Sequence, residues 1–66
     1  MNANFDNLRN EWERGNTKIE SNSKRMNWMI SNWSATMKQE HDRLIKENDL
    51  LRTRSDDLLE KILAVA

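Results

Sequence analysis

Sixty-six residues with no cysteine, one histidine, eleven basic and eleven acidic side chains leave room for one domain at most, and they exclude disulfides and a thiolate-held zinc as stabilising devices. Hydrophobic residues make up 36% of the chain and charged residues 33%, which suits long helices that each bury one stripe better than a compact globule. The charge balance holds locally, with five basic against four acidic residues through Trp33 and six against seven from Ser34 on. Neither half therefore makes the positive field that nucleic acid binding needs, and no apolar run approaches the length of a membrane span.

Phe5, Leu8 and Trp12 fall at helical spacing and predict a short helix over about 4–14. Gly15 is the sole glycine in a chain without proline. It can take the left-handed conformation that ends a helix, and Thr17 to Glu20 has the Thr-x-x-Glu form of a capping box. A turn at 15–17 is expected, followed by a long helix over about 18–63. A helix continuous through Gly15 is the alternative, since an interior glycine costs only about 1 kcal/mol relative to alanine.

Two series spaced by seven run along the chain: Phe5, Trp12, Ile19, Met26 and Trp33, then Ile30, Met37, Leu44, Leu51, Leu58 and Val65. Between them the steps through Met26, Ile30, Trp33, Met37, His41 and Leu44 include two consecutive fours, the mark of a stutter. The same place carries the weak helix formers of "SNWSATMKQ", and Thr36 to Gln39 forms a second possible cap. A bend at 31–36 is the alternative to an unbroken long helix.

From Met37 on, the second series occupies the d positions of a heptad and His41, Asn48, Ser55 and Ile62 the a positions. The expected oligomer seam is Met37, His41, Leu44, Asn48, Leu51, Leu58 and Ile62. An asparagine at a pairs with its symmetry mate in a parallel dimer and fixes register at some cost in stability. Ile45 and Leu59 widen the stripe toward e, which suits a bundle or an antiparallel packing better than a strict zipper. Glu20 with Lys24, Lys38 with Asp42, Asp42 with Lys46, and Asp57 with Lys61 are opposite charges one turn apart that support helix. Glu47 and Arg52 alone have the spacing of a cross-strand pair in a parallel dimer.

No converging set of catalytic, cofactor-binding or metal-ligating side chains is visible. His41 has Met37 and Ile45 one turn away, which can neither orient it nor share a metal, and adjacent Asp56 and Asp57 point apart on a helix. A leucine series at this spacing would need a basic helix before it to enter the DNA major groove, and "NWMISNWSATMKQEH" holds one lysine. The basic and acidic residues around Phe5, Leu8 and Trp12 offset one another, unlike an interfacial membrane helix.

The densest apolar stretch is "MNWMISNWSATM". Its Met26, Trp28, Met29, Ile30 and Trp33, with Trp12, are the candidate partner-binding residues, because tryptophan is enriched at interface hot spots and methionine repacks against varied partners. The simpler reading, placed ahead of docking on a different protein, is that this face is the core of the oligomer with Phe5, Leu8 and Trp12 of the short helix folded back over it. The expected fold is all-α, a short N-terminal helix plus one long amphipathic helix in a coiled-coil or helical-bundle oligomer. The expected function is non-enzymatic assembly or adaptor work through contacts with itself or another protein, without cofactor, nucleic acid or membrane span. A small inhibitor of a larger host protein, of the kind phages and mobile elements encode, is the alternative, and a ligand-sequestering oligomer the third reading. A cytoplasmic location is expected in each case.

Overall fold

The computed structural model describes residues 3–65, in which two α-helices, α1 (Ala3–Ser31) and α2 (Lys38–Val65), run antiparallel as a hairpin. A single 3₁₀ turn at Ala35–Met37 leads into α2. The Cα extents are 50 × 15 × 12 Å, a rod one helix thick and two wide. Among the described residues there is no strand, and no helix is long and apolar enough to cross a membrane.

The all-α expectation holds, but the chain divides differently from the short-plus-long arrangement. α1 passes straight through Gly15, which keeps a negative φ, so the expected turn at 15–17 does not form. The Thr17 hydroxyl donates back to the Glu13 carbonyl at 3.0 Å and thus bonds within the helix instead of capping a new one. Packing along the whole length of α1 outweighs the modest penalty of one helical glycine.

The reversal lies instead at 32–34. Asn32 closes α1: its backbone N–H is shared between the Trp28 and Met29 carbonyls at 3.0 and 3.1 Å, and its side-chain amide donates to the Trp28 carbonyl at 3.0 Å. These bonds satisfy carbonyls that a helix end leaves open. Ser34 is extended, at φ −140° and ψ 147°, and its carbonyl accepts the Met37 N–H at 2.9 Å. No described residue has positive φ, so this turn needs no glycine.

Folding back converts the two sevenfold series into two faces of one seam. Cross-helix ion pairs set the register: Glu11 with Arg54 at 2.6 Å, Lys18 with Glu47 at 3.7 Å, and Arg25 with Glu40 at 3.1 Å. The number on α1 rises by seven as that on α2 falls by seven, which is the antiparallel heptad relation. Phe5, Trp12, Ile19 and Met26 then occupy a on α1, with Leu8, Gly15, Asn22 and Met29 at d. They oppose the d and a series of α2. Met29, Leu44 and Leu58 are buried, and Phe5, Leu8, Trp12, Ile19, Met26, Met37, Leu51 and Ile62 are partly buried along the same seam. The stutter in the sequence is the point where the chain turns round.

Candidate interaction surface

The middle of the seam is polar on both helices. Asn48, 1% exposed, accepts from the Asn22 side-chain amide at 2.9 Å, and the same amide donates to Glu47 Oε1 at 3.1 Å. Asn48 Nδ2 in turn points at the Ser23 hydroxyl at 3.5 Å. Nearer the open end, the Ser55 hydroxyl donates to Asn16 Oδ1 at 3.1 Å. Among the described residues no buried side-chain nitrogen or oxygen lacks a partner, so the layer meets the requirement that buried polar groups be hydrogen-bonded. Asn48 therefore finds its mate in Asn22 of the same chain, where the heptad pattern suggested a symmetry mate.

Of the stripe expected to join copies, Leu44, Asn48 and Leu58 are buried within the single chain and Met37, His41, Leu51 and Ile62 are partly buried, with Asn48 against Asn22 of α1 and His41 against Trp33 of the turn. The physical reason is that α1 carries the complementary series and a three-residue reversal brings it into register. Within the single chain, Glu47 meets Lys18 across the hairpin, and Arg52 lies 3.8 Å from Asp49 on its own helix.

The candidate partner-binding residues divide between inside and outside. Met29 is fully buried and Trp12 and Met26 are partly buried, which makes these three part of the seam. Trp28, Ile30 and Trp33 stay exposed at 49%, 64% and 51%. Arg25 lies over the Trp28 ring at 4.8 Å, and Trp33 meets His41 edge to face at 5.6 Å and 90°. Cation–π and edge-to-face contacts favour fixed ring orientations, so the turn end presents two oriented aromatic surfaces. His41 serves there as a packing partner for Trp33.

The ionisable groups are surface groups. The Lys38 ammonium, hydrogen-bonded to Asp42 at 2.9 Å, holds that carboxyl below the ordinary aspartate range. Hydrogen bonding to Glu11 pushes the Arg54 guanidinium further up. Both are consequences of exposed ion pairs, and among the described residues no three His, Cys, Asp or Glu side chains gather as a metal-binding group. Compared with protein-family models, curated proteins and solved structures, the chain matches none.

Sequence reasoning missed Asn22 and the three cross-helix ion pairs. Both left a signal. Leu8, Gly15, Asn22 and Met29 are spaced by seven, and so are Glu11, Lys18 and Arg25 on one side and Glu40, Glu47 and Arg54 on the other. Read antiparallel, each charge meets its opposite.

Proposed function

We propose that the protein is a non-enzymatic helical assembly module that acts by docking the outside of its hairpin against other protein, and first against itself. The observation that carries this reading is the surface left over once the seam is closed. A compact monomer of 7.9 kDa exposes about 4,400 Å², whereas this chain exposes 5143 Å². Part of that surface is large and apolar, including Ile30, Ile45 and Leu59 at 64%, 42% and 39% exposure. Chains of this size gain stability from assembly when no disulfide or metal supplies it.

Light scattering over a concentration series, with far-ultraviolet circular dichroism on the same samples, tests the reading. Self-assembly gives a strongly helical species of two or more chains at micromolar concentration. A strictly monomeric helical protein at every concentration overturns it. That second outcome directs attention to the inhibitor-like alternative, which Trp28 and Trp33 favour: two half-exposed tryptophans beside the turn resemble the aromatic anchors of binding hot spots. Their fluorescence would then be quenched freely by acrylamide in the isolated protein.

A further inference from the structure

The two broad faces of the hairpin are chemically unlike. One is bridged by the three ion pairs of Glu11, Lys18 and Arg25 with Arg54, Glu47 and Glu40, which close the flank of the seam with charge. The other face has the equivalent flanking positions on the opposite side of each helix. Ile30 on α1 and Ile45 on α2 lie in the half of it nearer the turn, Ile45 about one helical turn beyond the level of Ile30 in the register that pairs Asn22 with Asn48, and Leu59 lies two heptads further along α2. These side chains are 64%, 42% and 39% exposed. Branched aliphatic side chains at e, beside the a and d seam, are the pattern of a helix that packs on two neighbours at once.

Charge on this face is arranged in rows. Arg9, Lys38 and Arg52 occupy the inner row, at the same heptad position as Ile30, Ile45 and Leu59. The next row outward is acidic, with Glu13, Asp42 and Asp49 each within 4 Å of its basic neighbour. Turned over onto itself, the face sets basic inner rows beside acidic outer rows, so it is self-complementary.

We infer that a second copy of the chain docks on this face, so that two hairpins form a four-helix bundle with Ile30, Ile45 and Leu59 in the shared core and the ion-paired faces outward. This rests on the assembly reading and specifies its surface and partner. The face opposite, closed by ion pairs, remains in water.

Sedimentation equilibrium on the full chain and three single variants tests it: Ile30→Glu and Ile45→Glu on the proposed face, and Leu50→Glu on the outer side of α2 as the control. The wild type is expected to be a dimer about as long as one hairpin by small-angle scattering. Ile30→Glu, and Ile45→Glu where it remains helical by circular dichroism, should raise the dimer dissociation constant at least tenfold, and Leu50→Glu should leave it within about twofold. A wild-type dimer that ignores both isoleucine substitutions overturns this face while leaving assembly standing. A dimer about twice as long as the hairpin also overturns it, because the copies would then be exchanging helices. A monomeric wild type overturns both the face and the assembly reading.

Discussion

Truncating Asn48 to alanine removes the oxygen to which the Asn22 amide donates at 2.9 Å, inside a seam where Asn22 and Asn48 are 4% and 1% exposed. Asn22 keeps its bond to Glu47 at 3.1 Å, so only one of its two amide hydrogens is orphaned. A net hydrogen bond is worth about 1 kcal/mol, but removing one partner so that a buried donor is left unsatisfied costs ~1–3 kcal/mol instead, and a small void is added. The expected loss is about 2–3 kcal/mol. Asn22→Ala should cost a similar amount, because it orphans the buried Asn48 oxygen and takes a donor from Glu47. In the double variant each orphan disappears with its partner, so the two losses should not add. A coupling energy of about 1 kcal/mol or more is expected. Chains of this length have roughly 3–10 kcal/mol to lose, so each single variant should melt about 10 °C or more below the wild type. Urea unfolding of the four proteins at one fixed concentration, followed by circular dichroism, measures the cycle; the fixed concentration removes any mass-action contribution from assembly. Losses that add to within about 0.3 kcal/mol would show that the two asparagines are not partners, and the antiparallel register would fall with them.

Three further outcomes follow from the same hairpin. Gly15 is helical, and a Cβ built on it meets nothing within 4 Å, so Gly15→Ala should stabilise the hairpin by about 1 kcal/mol, read as a rise in thermal midpoint; a fall would show that close approach or a turn requires the glycine. Met29 is 0% exposed, and Met29→Ala should cost about 2–5 kcal/mol in the same denaturation experiment, whereas a loss under 1 kcal/mol would place Met29 outside the core. The Asp42 carboxyl is depressed by its bond to Lys38, so the contact favours the folded state above the unfolded-state pKa and ceases to do so as pH falls through the lower, folded value. By NMR titration its midpoint should lie below that of the urea-unfolded chain and move up in Lys38→Ala; equal midpoints in both folded proteins would contradict the contact.

The helical periodicity was legible because apolar residues every seven positions leave few other ways to bury a stripe, and the polar Asn48 stood out against it. The direction of packing was less legible. Gly15 is the sole glycine and the strongest single signal of a break, yet it lies in a helix, while the reversal at 32–34 falls inside the stretch 31–36, the alternative site of a bend, and uses Asn32 and Ser34, which cap and extend the chain without positive φ. The stutter from Trp33 through Met37 to His41 begins at the reversal, but one helix with a relaxed supercoil produces the same spacing. The dense Met and Trp stretch could not be divided from sequence into the buried Met29 and the exposed Trp28 and Trp33, because that division depends on which face α2 covers. Asn22 escaped for a similar reason: an asparagine among polar neighbours gains meaning only when Asn48 is brought opposite it.

The distance between spin labels at Asn10 and Glu60, both exposed and on one rung of the antiparallel register, tests the hairpin most directly. Doubly labelled protein diluted into an excess of unlabelled chain reports the distance within one molecule. The hairpin gives a narrow distribution near 30 Å, about two helix diameters plus the label arms. A continuous helix through 31–36 places the same sites on the order of 75 Å apart at 1.5 Å per residue, and a population centred there would contradict the fold and the interaction surface built on it.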